Sequence, residues 1–175
     1  IDLKEAGWDN LQKGHDLEYP VKGMPITADN PKGNGFADYV LWDDNGKPLA
    51  VVEAKKTMKS VEAGRHQAFL YANCLEAMHG QRPIIFYTNG YETKLWNDTF
   101  YSAPRRVHGF YTKDELQWLI QQRGTRKDLR QATVNTAIAG RPYQMAAIQR
   151  VAEVFVTDGE KSMQGAKRNA LLVMA

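Results

Sequence analysis

Two charged residues, Asp38 and Glu53, stand where buried strand residues are expected, and Lys55 follows two residues after Glu53. Phe36 to Trp42 is aromatic and β-branched, and Leu49 to Ala54 is an apolar run of buried-strand length. Between them Asp43, Asp44, Asn45 and Gly46 are turn formers, and Asn45-Gly46 is a strong hairpin signal. Side chains two apart on a strand share a face, so Glu53 and Lys55 point one way and Ala54 the other. If Asp43 faces Pro48 across a four-residue loop, Asp38 falls opposite Glu53. Two carboxylates and one ammonium then converge. Adjacent carboxylates raise each other's pKa, and a divalent cation removes that penalty. Hard oxygen ligands suit Mg²⁺. A salt-bridged strand exit is the plainer reading of Glu53 and Lys55, because such spacing is common by chance.

The elements around this hairpin must position it. Ile1 to Ala6 reads as the last turns of a helix closed by Gly7, which suggests a chain cut upstream. Trp8 and Leu11 are expected beneath the sheet, and His15 to Val21 forms a short strand. Thr27 to Gly35 is a loop rich in Asn, Pro and Gly that delivers the chain to Asp38. Ser60 to His79 reads as a helix capped by Ser60 and ended by Gly80. Its expected apolar stripe is Ala63, Leu70, Cys74 and Met78, with Gln67 and Tyr71 on the same stripe four residues apart. By periodicity alone Tyr71 is a core residue and Gln67 an edge residue.

Pro83 to Thr88 and Tyr91 to Trp96 are expected as a hairpin around Asn89-Gly90. Phe100 to Gly109 reads as irregular. Its basic cluster, Arg105, Arg106 and His108, is either a solvated loop or a DNA contact. Thr112 to Glu115 is a capping box opening a helix to about Gln122, with Gly124 as its stop. Residues 125–140 read as a connector. A further helix begins at Arg141, Pro142, Tyr143 and Gln144, with Met145, Ile148, Val151, Ala152 and Phe155 on its apolar face. Asp158 to Arg168 reads as a loop and Ala170 to Met174 as a strand.

Composition bounds the possibilities. The 175 residues make one moderate domain or a domain plus part of another. A single cysteine, Cys74, excludes an intramolecular disulfide and a cysteine-rich zinc site, and fits a reducing cytoplasm. No apolar run reaches membrane-spanning length, and the opening residues do not read as a signal peptide. The net charge of +3 permits nucleic-acid binding without arguing for it. A small-molecule α/β enzyme lacks support, since no Gly-rich phosphate loop follows an early strand.

Asp38, fourteen intervening residues, then Glu53-Ala54-Lys55, resembles the PD-(D/E)xK nuclease superfamily. Ala37 stands where that family's name has Pro, a position that varies. Gln67 and Tyr71 are similar to the helix signature of RecB-like nucleases. Arg141 to Gln144, a helix, a loop and Arg168 to Ala175 look like the start of a superfamily 2 helicase motor, ending before its phosphate loop. A nuclease followed by such a motor resembles the R (restriction, or motor) subunit of type I restriction enzymes. Ile1 to Trp8 also looks like that subunit's first helix. A further acidic residue of that helix would precede Ile1 or have no counterpart here.

The resemblance implies a mixed β-sheet flanked by helices in a nuclease domain at 1–124, a connector at 125–140, and a truncated motor at 141–175. It implies Mg²⁺-dependent hydrolysis of DNA phosphodiesters leaving 5′-phosphate ends. Asp38, Glu53 and the Ala54 carbonyl would bind the metal, and Lys55 would orient the attacking water. Gln67 and Tyr71 would hold the DNA backbone or brace the site. Gln144 would contact adenine, with ATP used only by an intact motor. The implied partners are double-stranded DNA and the methyltransferase and specificity subunits, and the implied location is the cytoplasm. The alternative is a catalytically silent nuclease-like module that binds DNA or tethers subunits.

Overall fold

The computed structural model describes residues 3–28, 30–125, 129, 133–155 and 171. The chain divides into two compact units: Ile1–Asp98 with Ala103–Gln122, and Thr99–Ser102 with Arg123–Ala175.

The first unit is built on a six-stranded mixed sheet in sequential order, β1 (Leu17–Lys22), β2 (Asn34–Trp42), β3 (Pro48–Ala54), β4 (Ile84–Thr88), β5 (Thr93–Trp96) and β6 (Arg105–Val107). All neighbours are antiparallel except β3 and β4. That one parallel pair needs a crossover, supplied by α1 (Arg65–His79). Helix α1 covers one face, where Ala68, Tyr71, Ala72 and Leu75 pack on Val21, Val40, Val51, Ile85 and Tyr87. Helix α2 (Lys113–Thr125) begins against the other face, where Leu116 joins Leu3, Leu41, Leu49, Ala50, Val52, Ile84 and Phe86. Strands covered on both faces read as continuous apolar runs, and β3 is buried from Pro48 to Glu53. Each fully buried Leu, Ile or Phe contributes roughly 1.5–3 kcal/mol.

In the opening segment the expected Gly7 stop is present, but the described residues before it form a 3₁₀ turn where the sequence predicts the last turns of a helix. A 3₁₀ turn at Lys4–Ala6 closes on Gly7 at φ 81°. Trp8 and Leu11 pack against the α2-side core, and Trp8 Nε1 donates to the Tyr111 carbonyl at 2.8 Å. The Thr112–Glu115 capping box forms in both directions.

Several expectations need correction. Ser60 makes no side-chain cap bond, and a 3₁₀ turn at Val61–Gly64 precedes α1. That tighter turn takes Ala63 out of the helical phase. The buried stripe runs through Ala68, Tyr71, Ala72, Cys74 and Leu75, while Ala63 and Met78 are exposed. Gly124 lies inside α2 rather than stopping it. Arg105–Val107 is a strand, not irregular, because β5 leaves an edge that it pairs. β1 starts at Leu17 and β5 at Thr93, both later than the apolar pattern suggested.

The second unit contains α3 (Pro142–Phe155), as the Pro142 signal predicted. Its apolar residues Met145, Ile148, Val151, Ala152 and Phe155 line a groove shared with Leu129, Val134 and Ile138. The strand expected at Ala170 to Met174 and the loop at Asp158 to Arg168 lie outside the described residues, Leu171 excepted.

Candidate active site

The hairpin positions the site. At its tip Gly46 adopts φ 75°, which a side chain at that position would resist, and its N–H donates to the Asp43 carbonyl at 3.0 Å. The expected pairing of Asp43 with Pro48 is replaced by Trp42 with Pro48, through an irregularity between Leu41 and Trp42. Beyond it the ladder runs Leu41–Ala50, Val40–Val51, Tyr39–Val52. One further step places Asp38 beside Glu53. The register therefore fails at the turn and holds as far as Tyr39–Val52, the last pair before the carboxylates.

β2 breaks its alternation where Asp38 sits. Ala37 and Val40 both face the α1-side core, and Tyr39 and Leu41 face the other. Strict period-two alternation forbids Ala37 and Val40 on one face. On the neighbouring strand Glu18, between the Leu17–Tyr39 and Tyr19–Ala37 pairs, has φ 50°. Irregularities of this kind re-aim side chains. Here the Asp38 carboxylate Oδ2 accepts from the Ala54 N–H at 2.7 Å, a donor the end of the β2–β3 ladder leaves over.

Glu53 is the most constrained of the three. Its side chain is 3% exposed, beneath α1 and beside Tyr87 in the β3–β4 register. Lys55 Nζ donates to Glu53 Oε1 at 2.5 Å and to Gln67 Oε1 at 2.6 Å. Gln67 Nε2 donates to the Tyr71 hydroxyl at 2.6 Å. One chain of contacts thus joins Glu53, Lys55, Gln67 and Tyr71. The second carboxylate oxygen, Glu53 Oε2, is buried and has no hydrogen-bond partner. Burial pushes the Glu53 carboxyl up to about 7; the Lys55 hydrogen bond pulls it down, and the Asp38 charge adds to the rise. Burial also raises Tyr71, opposed by its hydrogen bond from Gln67 and reinforced by the charges of Glu53 and Asp38.

The donor set suits a hard divalent cation. A buried carboxylate oxygen without a proton donor is costly, and a second carboxylate lies beside it. Among the described residues no cluster of three or more His, Cys, Asp and Glu could hold a metal by itself. Any cation here would rely on Asp38, Glu53 and backbone or solvent oxygen.

Gly64 and Tyr87 escape the sequence reading, in which Gly35 is only part of a loop. A Cβ on Gly64 would lie 3.3 Å from Glu53 Cγ and 3.5 Å from Lys55 Cγ, so the turn before α1 rests directly on the site strand. A Cβ on Gly35 would lie 2.9 Å from Tyr71 Cε1, so only glycine admits that ring. Tyr87 is fully buried, and its hydroxyl reaches both Glu62 oxygens at 3.3 Å. Burial, then the Glu62 charge, raises its pKa. Gly35 lies in the flagged glycine-rich segment, but nothing in the sequence distinguishes Gly64 from a loop glycine.

The remaining sequence candidates lie apart from these contacts. Arg105 donates to the Tyr111 hydroxyl, and Arg105 and Arg106 are exposed. In the second unit, Gln144 Oε1 accepts from the Arg141 N–H at 3.3 Å.

Residues 21–102 match the family model for the type I restriction enzyme R protein N terminus. The chain is 34% identical over 94 residues to the type I restriction enzyme EcoAI endonuclease subunit of Escherichia coli, covering 50% of this chain and 11% of that protein. It is 29% identical over 126 residues to the EcoKI endonuclease subunit of Escherichia coli strain K12, covering 66% of this chain and 10% of that protein. It is also similar to a fragment structure described as an HsdR subunit of a type I restriction enzyme from Vibrio vulnificus YJ016. That match has a TM-score of 0.53 and 26% identity, over 87% of this chain and 30% of the other. The chain therefore spans about a tenth of the length of these two curated relatives. The site strands β2 and β3, helix α1 and the β4–β5 hairpin all fall within residues 21–102, the segment that matches the type I restriction enzyme R protein N-terminal family.

Proposed function

We propose that residues 1–124 form a PD-(D/E)xK nuclease domain that hydrolyses DNA phosphodiesters without sequence preference. In this reading the chain is part of a type I site-specific deoxyribonuclease. The observation that carries the proposal is the convergence of Asp38, Glu53 and Lys55, with Glu53 Oε2 buried and unpaired. Asp38, Glu53 and the Ala54 carbonyl would hold Mg²⁺. Bound there, the cation would supply Lewis-acid polarisation of the phosphodiester and a more acidic water. The ammonium of Lys55, 21% exposed, offers a donor and a positive charge to the attacking water and to charge developing on phosphate. Gln67 and Tyr71 brace Lys55, and Gln67, half-buried, can also reach the DNA backbone.

Phosphate contacts carry no sequence information. Target choice then belongs to the methyltransferase and specificity subunits of a restriction complex. In the same reading, 125–140 is a connector and 141–175 begins a superfamily 2 motor. Its intact form would use ATP, with Gln144 at the adenine, to translocate double-stranded DNA before cleavage. Among the described residues no helix is long and apolar enough to cross a membrane, which agrees with a cytoplasmic complex.

One observation favours a second reading. Asp38 is tied to the Ala54 N–H and Lys55 to Glu53, contacts that would also serve a catalytically silent DNA-binding or tethering module. Plasmid cleavage by the complete R subunit, assembled with its partners and supplied with ATP and Mg²⁺, separates the two. The nuclease reading expects cleavage that Lys55→Ala abolishes without disturbing assembly. Undiminished cleavage by the variant would sink it.

A further inference from the structure

The Lys55 ammonium lies between two anchors of different kinds. Glu53 Oε1 is a charged acceptor at 2.5 Å and Gln67 Oε1 a neutral one at 2.6 Å. Gln67 cannot easily swing away, because its own Nε2 is bonded to Tyr71, which is 3% exposed and packed against Gly35. An ammonium and a divalent cation cannot both sit within bonding distance of one carboxylate without strong mutual repulsion. Lysine has three rotatable donors on a flexible stem, so it can lose one acceptor and keep another.

We propose that Lys55 is the resident counter-ion of Glu53, that a divalent cation displaces it, and that Gln67 is the positioning residue that retains the displaced ammonium. This rests on the reading of Asp38 and Glu53 as cation ligands. Exchange frees both Glu53 oxygens for the cation while Gln67 keeps Nζ in the site. Gln67 thereby acts through Lys55, ahead of any contact with DNA. The signs of the consequences are fixed. Removing Lys55 removes a competitor and strengthens cation binding. Removing Gln67 costs the displaced ammonium its remaining anchor but the resting ammonium only one of two. This weakens cation binding only while Lys55 is present.

The test is calorimetric titration of the 175-residue chain with Ca²⁺ alone. Every variant is titrated in the same buffer at one pH. Lys55→Met should tighten Ca²⁺ about tenfold. Gln67→Leu should loosen it about threefold in the wild-type background and leave it unchanged in the Lys55→Met background. Unchanged or weaker binding by Lys55→Met, or an equal Gln67→Leu effect in both backgrounds, overturns the exchange. Binding that survives Glu53→Gln overturns the underlying cation-site reading as well. A measurement on the unmutated chain guards against folding defects: the Lys55 ¹⁵Nζ resonance should shift on Ca²⁺ saturation. A resonance unmoved at saturation overturns the proposal.

Discussion

The first unit buries two acid–base clusters, and they are finished differently. Around Arg82 every charge is answered. Its Nε donates to Asp98 Oδ1 and Oδ2 at 2.8 and 2.9 Å, Nη2 adds a further bond to Oδ2, and Nη1 reaches Asn73 and Glu76. The guanidinium also lies 5.3 Å from the Phe69 ring centroid. Around Glu53 one oxygen is answered by Lys55 and the other by nothing. A saturated buried network fixes a fold; an unsaturated one needs a reason. Both clusters flank α1, so the fold can satisfy buried charge where it has only a structural task. On the proposed reading, that difference leaves Glu53 ready for a cation.

The largest expected effect breaks the comparison on the side of chemistry. Lys55→Ala in the complete enzyme should lower plasmid cleavage by about 10²–10⁴-fold, since one positioned donor and charge is lost from the reacting centre. The urea midpoint should barely move at pH 6, where Glu53 can take a proton in place of its lost partner. Unfolding of this variant would return the pair to a salt-bridged strand exit.

The matching change on the structural side is Arg82→Ala. It leaves Asp98, 8% exposed, without its guanidinium. Stranding a buried carboxylate costs about 3–5 kcal/mol, a large share of a domain's stability. Urea denaturation should show that loss, while any protein still folded should bind Ca²⁺ with wild-type affinity. A loss of Ca²⁺ affinity in folded protein would mean that the two clusters are not separable.

The third effect is a pH dependence confined to the unsaturated cluster. Glu53 sits at about 7 in the folded chain against an ordinary 4.5, so between these values the folded state binds more protons than the unfolded one. Stability of the metal-free chain should therefore fall as pH rises through that window, by about 3 kcal/mol from this group. Glu53→Gln should flatten the profile, and saturating Mg²⁺ should restore much of the loss by linkage. Denaturation midpoints in EDTA and in Mg²⁺, from pH 4.5 to 8, measure both. A stability that rises through the window would mean that Lys55 over-compensates the burial.

Much of this cluster was legible in the chain. Asp38 and Glu53 stand out because charged residues inside apolar strand text conflict with burial, and Lys55 because it shares the strand face of Glu53 two residues on. Their register survived a wrong assumption about the turn, since the Leu41/Trp42 irregularity absorbs the one-residue difference at the far end of the hairpin. Tyr71 was rightly placed in the core. The stripe around it was misassigned because the 3₁₀ turn at Val61–Gly64 shifts the helical phase, and a 3.6-residue period cannot register such a turn. The Arg82 cluster was missed because its members come from α1, the segment before β4 and the segment after β5. No sequence pattern joins those three places.

The smallest expected effect is a contrast of two glycines at opposite ends of one helical segment. Gly80 closes α1 at φ 70° with open space around it, and Gly64 precedes α1 at φ −87° with Glu53 and Lys55 in its way. Gly80→Ala should cost about 1 kcal/mol, because alanine resists the left-handed conformation, and should leave cleavage alone. Gly64→Ala meets no backbone penalty, and it reduces the freedom of the unfolded chain. The new methyl must instead push Glu53 by a few tenths of an ångström, while Lys55 at 3.5 Å stays in ordinary contact beside it. Displacements of that size at a reacting centre lower rates without unfolding anything, so cleavage should drop about tenfold at an unchanged urea midpoint. Equal stability losses and equal cleavage in the two variants would mean that Gly64 is only a turn residue. The close approach of the 3₁₀ turn to the site strand would then have no part in aligning Lys55.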